Sequence, residues 1–247
     1  MDLQTCARLV EWAGQYNVKS FIEKDPVSFP HRFKEKRDIE ISAFITSWIS
    51  YGRRELILRK AEWLHCRMGE SPYRWICDEE YEKLGGSVAQ GKRDTFYRFY
   101  TFDDLKQLCR RLKAIYERHA SLEEAWAASG YPNPIHKLQD LFAGIRGVPV
   151  MGGTSACKRL AMFLRWMVRN DGVVDFGIWR TCASPADLII PLDTHVHQIS
   201  LKLGLTRQKN ATLRTAIEIT EALRSVFPDD PCLGDFALFG YDIDREK

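Results

Sequence analysis

The sequence lacks the features that mark membrane and secreted proteins. No apolar run approaches the ~20 residues that a helix needs to span a bilayer. The most apolar stretch, around Leu188–Leu192, is short and interrupted by Pro191. The N-terminus has no positive region followed by an apolar core and a small-residue cleavage site, so it does not resemble a signal peptide. We therefore expect a cytoplasmic protein with no membrane partner.

Excess charge and cysteine motifs are also missing. The 36 basic and 33 acidic residues leave a net charge of +3, which by itself neither indicates nor excludes a nucleic-acid partner. The seven cysteines contain no CxxC pair. This pattern argues against a disulfide framework, a zinc knuckle or an iron–sulfur cluster. We expect reduced thiols, most of them buried like small apolar residues, and no cofactor.

What the sequence does contain is helical periodicity. With 45% hydrophobic and 12% aromatic residues the chain is globular, not disordered. Apolar residues recur every three or four positions, and the prolines fall between these runs. The runs are Ile39–Ser50, Glu55–Met68, Phe102–His119, Leu122–Ala128, Lys158–Val168, Thr194–Leu203, Leu213–Val226 and Asp235–Tyr241. No set of alternating strands accompanies them, so we predict an all-α fold. The long connection Asn170–Pro191, which contains Trp179, is of a length often associated with function.

One window is strongly basic. Residues 141–170 contain five bases and no acid. On the helix that begins at Lys158, an apolar stripe faces one way, while Lys158, Arg165 and Arg169 face the other. The stripe consists of Leu160, Phe163, Leu164 and Met167. The basic side is either a solvated surface or a phosphate-binding one, and an acid-free window favours phosphate contact.

Three kinds of chemical site compete. A metal could use His195 and His197, but side chains two apart on a helix do not face each other. A serine or cysteine nucleophile, Ser155 or Cys157 beside Gly152 and Gly153, has neither an elbow motif nor P-loop spacing around it. The third possibility pairs a lysine at one helix start with an aspartate at another.

That lysine is Lys158 and the aspartate is Asp193. The positive end of a helix, together with apolar packing, would disfavour the ammonium of Lys158, and the neutral amine is the nucleophilic form. The start of the next helix favours the carboxylate of Asp193, which is a natural N-cap, and Gly204 is the natural C′ residue of that helix. If the two met, an amine and an anion would face one electrophilic carbon.

These motifs resemble those of the helix-hairpin-helix DNA glycosylase superfamily. The similar segments are Gly152–Arg169, the stretch Ile190–Val196 that contains Asp193-Thr194-His195-Val196, and Leu203-Gly204-Leu205. Residues 38–54 are similar to the first barrel helix of that family, and Gly234–Gly240 to its last helix. The chain is most similar to a bacterial branch near the archaeal 8-oxoguanine glycosylases. It departs from the usual hairpin at Met151–Lys158, and it separates Lys158 from Asp193 by 35 residues.

The resemblance implies a fold and a reaction. It implies two helical subdomains with a cleft between them, residues 31–170 and residues 1–30 plus 171–247, a degenerate hairpin and no iron–sulfur cluster. Lys158 would attack C1′ of a damaged or modified nucleotide, and Asp193 would assist. The base pocket would include Asp235, Phe239, Trp48 and Trp179. DNA would contact Tyr51, Arg53, Gly152, Gly153, Thr154, Ser155, Arg159, Arg165, Arg169 and His195.

The implied partner is double-stranded DNA, bound by a monomer associated with the nucleoid. The excised base would be an oxidised purine such as 8-oxoguanine, which makes this a repair enzyme. It would alternatively be a bulky base such as glucosylated hydroxymethylcytosine of phage DNA, which makes it a defence enzyme. Excision would occur with or without lyase activity through Lys158. Two other classes remain open: a non-catalytic DNA-binding module with the same hairpin, and a metal-dependent hydrolase that uses His195 and His197.

Overall fold

The chain folds into helices joined by turns and by several longer connections. A computed structural model describes residues 1–86 and 93–245, and in these ranges it contains twelve α-helices and one two-stranded antiparallel hairpin. The helices are α1 (Leu3–Tyr16), α2 (Ser20–Glu23), α3 (Lys36–Ile49), α4 (Arg54–Met68), α5 (Pro72–Cys77), α6 (Phe102–Tyr116), α7 (Leu122–Ala128), α8 (Pro134–Leu141), α9 (Lys158–Val168), α10 (Thr194–Lys202), α11 (Leu213–Arg224) and α12 (Leu233–Arg245). The hairpin consists of β1 (Thr95–Tyr97) and β2 (Tyr100–Thr101). The prediction of a predominantly helical fold is confirmed.

Each of the eight predicted helices is present, with ends shifted by a few residues. The periodicity did not reveal α1, α2, α5, α8 or the hairpin. Prolines open elements as well as separate them. Pro72 and Pro134 occupy the first positions of α5 and α8, where a missing N–H costs nothing. Single turns of 3₁₀-helix occur at Pro26–Ser28, Pro30–Arg32, Glu80–Lys83 and Pro185–Asp187.

The chain divides into two compact units. One consists of Met1–Lys24 and Gly152–Lys247, and the other of Asp25–Met151. The predicted subdomains also combine the two termini, but with boundaries at residues 30 and 170. The helix α9 therefore belongs to the unit formed by the termini.

The unit of residues 25–151 is built around α3. Every residue from Asp38 to Ile49 is buried, including two acids. These acids cap other helices: Asp38 accepts hydrogen bonds from Tyr73 N and Ser71 Oγ at the start of α5. Glu40 accepts them from the first N–H groups of α7 and from Tyr116 Oη. Buried carboxylates at helix N-termini satisfy N–H donors that have no partner within the helix.

The hairpin packs on the end of α3 in the same unit. The ring of Trp48 stacks on Tyr100 with centroids 4.0 Å apart, and its Nε1 donates to Arg146 O at 2.8 Å. The loop that follows Arg146 passes so close to Tyr100 that a Cβ at Gly147 would lie 1.8 Å from Tyr100 Oη. Only glycine fits at that position, where φ is +86°.

The unit formed by the termini is built around α9, which is buried from Leu160 to Val168. The long segment between α9 and α10 covers it: Phe176 N donates to Trp166 O, and Trp179 N donates to Met167 O, each at 2.9 Å. The two terminal helices pack together, with Trp12 of α1 edge-to-face on Tyr241 of α12. The long connection is thus part of the core of this unit.

Two further expectations can be compared with the structure. Among the described residues, no helix is long and apolar enough to cross a membrane. All seven cysteines are free thiols. The expectation that most are buried was wrong, since only Cys109, Cys157 and Cys232 are buried and Cys66 is exposed.

Candidate functional site

Lys158 and Asp193 form an ion pair at the starts of two helices. Lys158 is the first residue of α9, and Asp193 is the N-cap of α10. Their Nζ and Oδ2 atoms lie 3.1 Å apart, and the side chains are 38% and 33% exposed. A ligand can therefore reach both groups. The amine and the carboxylate that the sequence could place only at two separate helix starts are neighbours.

The loop before α9 fixes the position of Lys158. Cys157 adopts a left-handed conformation with φ of 54° and caps the helix without a side-chain hydrogen bond to it. The hydroxyl of Ser155 accepts from Cys157 N at 3.0 Å, and Ser155 O accepts from Leu213 N at 3.1 Å. Residues 152–155 are exposed, and Gly152 has a φ of +75°. The loop is anchored at Ser155 and Cys157, and its glycines face solvent.

Asp193 is held as a carboxylate. Burial raises its pKa, but the charge of Lys158 and the hydrogen bonds from Val196 N and from Lys158 lower it more, and the net pKa lies below the usual value. The charge of His195 acts in the same direction. The cap and the ion pair together keep a negative charge beside the amine.

A second carboxylate, Asp235 of α12, belongs to the same site. Burial raises its pKa, as does the charge of Asp193, while Arg165 and Lys158 oppose the shift; the net value is about 6. Asp235 Oδ2 accepts a short hydrogen bond from Arg165 Nη1. Two carboxylates with pKa shifts in opposite directions therefore interact with the charge of one lysine, as is typical of sites that perform acid–base chemistry.

Arg165 and Arg169 do not form a basic surface, and their predicted placement on a solvent face was wrong. Their side chains are only 5% and 2% exposed. Arg165 pairs with Asp175 as well as Asp235, and Arg169 pairs with three carboxylates. Those carboxylates are Asp171, Asp175 and Asp230. Arg165 and Arg169 are neutralised by acids that follow them in the chain, so these two arginines do not reach a phosphate.

Two of the three predicted pocket aromatics lie in the core of their own units. Trp179 is 1% exposed and packs edge-to-face on Phe163, and Trp48 is 3% exposed. Phe239 is half-buried against Tyr16 and Phe21. Asp235, the fourth residue proposed for the base pocket, interacts electrostatically with Lys158 and Asp193.

The two histidines point in different directions. His195 is exposed, near Asp193, whereas His197 is buried with its Nε2 2.8 Å from Gln208 O. Within the described ranges, no group of three or more histidine, cysteine, aspartate or glutamate side chains is arranged to hold a metal ion.

The remaining DNA-contact candidates fall into two places. Arg159 follows Lys158 and is half-buried. Tyr51 and Arg53 lie in the unit of residues 25–151, where Arg53 is exposed before α4. The hydroxyl of Tyr51 donates to Tyr97 O at 3.1 Å, and that of Tyr97 donates to Tyr51 O at 2.9 Å. Tyr51 thus holds the hairpin in place.

The structure adds partners that sequence reasoning missed. Asp175 is buried between Arg165 and Arg169, and no periodicity or motif marks it. The link from Arg165 to Asp235 spans 70 residues of sequence. The only available signal was the cluster of acids that directly follows the basic window, at Asp171 and Asp175.

The fold and site define a helical protein in which a lysine and an aspartate, each at the start of a helix, are paired beside a second aspartate. The chain belongs to the family described as Protein of unknown function (DUF2400), whose profile matches residues 25–244. No curated protein and no solved structure matches it.

Proposed function

We propose that the chain is a DNA glycosylase that removes a damaged or modified base, with a fold like that of the helix-hairpin-helix glycosylases. The observation that carries this proposal is the 3.1 Å contact between Lys158 Nζ and Asp193 Oδ2 at an accessible site. The resemblance of the segments around these two residues to that superfamily supports the assignment.

The reaction uses the amine as a nucleophile and the carboxylate as an electrostatic partner. The Nζ lone pair forms a bond to C1′ while the glycosidic bond breaks. The electron pair of the glycosidic bond leaves with the base, which takes up a proton. The sugar becomes positively charged in the transition state, and the carboxylate of Asp193 stabilises that charge. After Nζ loses a proton, its lone pair forms a second bond to C1′ while the C1′–O4′ bond breaks, and O4′ takes the electron pair of that bond and a proton. This leaves a C1′=Nζ Schiff base.

Asp235 gives this site a proton acceptor. Lys158 must give up a proton before its amine attacks, and the pKa of Asp235, raised to about 6, makes it a stronger base than Asp193. In the monofunctional form of the reaction, a water oxygen attacks C1′ instead and gives its proton to a carboxylate, and an abasic site results. Both forms of the reaction require Asp193.

The test is borohydride trapping together with an assay for released base. The substrates are duplexes that carry 8-oxoguanine, an abasic site or glucosylated hydroxymethylcytosine. We expect excision from at least one base-containing substrate. A covalent adduct that is absent in Lys158→Ala would show the lyase route. Lys202→Ala, an exposed lysine of α10, is the matched control and should behave as the wild type.

Asp193→Asn tests the mechanism. Asparagine is as good an N-cap as aspartate, so the variant should fold normally, yet it lacks the negative charge. We expect a large loss of excision with little change in thermal stability. Full excision by this variant would contradict the mechanism. Tight DNA binding without release of any base by the wild type would instead favour the non-catalytic DNA-binding module.

A further inference from the structure

The loop of the β1–β2 hairpin presents an exposed aromatic ring among arginines. Its two residues, Arg98 and Phe99, are both exposed, and we call them the hairpin tip. The side chain of Phe99 leaves 48% of its surface in solvent, an unusual position for a phenylalanine. No residue of this tip was a candidate in the sequence analysis.

Two other aromatic rings pack against Phe99. The ring of Tyr51 stacks on it with centroids 4.7 Å apart and an interplanar angle of 29°, and Tyr100 meets it edge-on at 4.9 Å. The reciprocal hydrogen bonds between Tyr51 and Tyr97 fix this support. Phe99 is therefore an exposed ring that Tyr51 supports on one face.

The backbone of the tip is strained. Arg98 has a φ of 54°, a left-handed conformation that costs an arginine free energy and that glycine or asparagine would adopt easily. In this conformation Phe99 is exposed and the Arg98 guanidinium lies close to Gly52, where a Cβ would be 2.7 Å from Nη1. A strained residue that is not the best turn former is a reason to look for a function.

Two arginines lie near the stacked rings of Phe99 and Tyr51. The guanidinium of Arg98 lies 5.3 Å from the centroid of Tyr51, and that of Arg146 lies 5.8 Å from the centroid of Phe99. Arg146 is 41% exposed, with Asp104 3.8 Å from its Nε. The carboxylate of Asp104 also accepts from Thr101 N and Oγ1 in a capping box, so its charge is shared with the start of α6.

We propose that Phe99 inserts into the base stack of duplex DNA while Arg98 and Arg146 contact phosphates on either side. This inference rests on the proposed function for the identity of the partner. A duplex matches the tip because it offers a stack of flat apolar rings between two lines of negative charge. Apolar side chains that insert between base steps are a known way to open a duplex, and removal of a base from the stack requires such opening. Tyr51, one of the predicted DNA contacts, supports the inserted ring in this proposal, since it stacks on Phe99 and its hydroxyl donates to Tyr97 O.

The test measures unstacking directly. The probe is a duplex with 2-aminopurine beside a tetrahydrofuran abasic site, since 2-aminopurine fluorescence rises when its neighbours separate. We expect the wild type to raise the fluorescence and Phe99→Ala to abolish the rise. Loss of the stacking ring should also weaken binding by about 5- to 150-fold. Tyr131→Ala removes another exposed aromatic of the same unit and should change neither.

Salt dependence tests the arginines. Arg98→Ala should retain the fluorescence rise at saturation, weaken binding, and reduce the slope of log affinity against log salt by about 1, because one phosphate contact is lost. Arg118→Ala, an exposed arginine after α6, is the charge-matched control and should keep the wild-type slope.

The outcomes separate this inference from the proposed function. Unstacking that depends on Phe99 and persists in Lys158→Ala, without excision of any base by the wild type, would support the inserted ring and count against the glycosylase. Excision that Phe99→Ala leaves unchanged, with normal unstacking, would overturn the inference and leave the glycosylase intact. Absence of DNA binding, or self-association that Phe99→Ala abolishes with no effect on DNA, would also overturn it.

Discussion

Replacement of Arg169 by methionine should destabilise the protein strongly. The guanidinium is 2% exposed and lies among Asp171, Asp175 and Asp230, with Asp230 Oδ2 2.7 Å from Nε and Asp175 Oδ2 3.0 Å from Nη1. Methionine keeps much of the apolar stem but removes the charged guanidinium, whose Cζ lies 5.1 Å from the centroid of the Phe236 ring. Three carboxylates would then share a buried site without their central cation.

The magnitude follows from the cost of an unpaired buried charge. Removal of one partner of a buried ion pair costs about 3–5 kcal/mol. For a chain of this size, each kcal/mol lowers the melting temperature by about 2–4 °C, which corresponds to a decrease of about 6–20 °C. The control is Arg110→Met, whose side chain is 51% exposed and pairs with Glu82. An exposed pair contributes about 0–1 kcal/mol.

The assay is chemical and thermal unfolding followed by circular dichroism at several pH values. In Arg169→Met the pKa values of the buried carboxylates should rise, since burial is no longer offset by a cation. A carboxyl group with a raised pKa favours the folded state at low pH and loses that contribution as pH rises. The difference in free energy of unfolding between Arg169→Met and the wild type should therefore become smaller as the pH is lowered from neutrality. A loss no larger than that of Arg110→Met would refute the reasoning. If Arg169→Met were stable and its DNA affinity depended less steeply on salt concentration, the result would support the predicted contact between Arg169 and phosphate.

Two further predictions concern buried carboxylates. The pKa of Asp235 is raised from 3.8 to about 6, mainly by burial, so this group favours the folded state below about pH 4 and loses that contribution as pH rises through about 6. Asp235→Asn should flatten the stability profile between these values, and an unchanged melting profile would contradict this. Glu40→Gln should lower the free energy of unfolding by about 1–3 kcal/mol, because an NH₂ group would face the N–H donors of α7 in a site with no exposure. Denaturant titration measures this, and full stability would mean that the cap does not form in solution.

Local signals in the sequence predicted helix positions well. The predicted span Lys158–Val168 is that of α9, Asp193 is the N-cap of α10, and Gly204 has the positive φ of a C′ residue. These features depend on neighbours within a few residues. Asn133 and Pro134 carry the same kind of signal for the start of α8, which the periodicity of the apolar residues did not reveal.

The hairpin and the buried arginines were beyond such signals for different reasons. The strands β1 and β2 have three and two residues, too few to show alternation, and Arg98-Phe99 is not a favoured turn pair. Periodicity assigned Arg165 to the polar side of α9 correctly, but it could not show that acids from another part of the chain cover that side. The direction of a side chain is local, whereas its solvent exposure is set by residues up to 70 positions away.

The same helix explains how an exposed lysine can be held precisely. The Lys158 side chain is 38% exposed, so packing of its own atoms contributes little to its position. From Leu160 onward, however, α9 is buried, and Arg165 and Arg169 fix its far end through four carboxylates. Arg165 also holds Asp235, so one side chain anchors both the helix that carries the amine and the second carboxylate of the site. Preorganisation of a reactive group requires rigid support from neighbouring residues, and the buried ion-pair network supplies it here. Arg165 therefore acts on the site as a positioning residue, through Asp235 and α9, in place of the phosphate contact that its sequence position suggested.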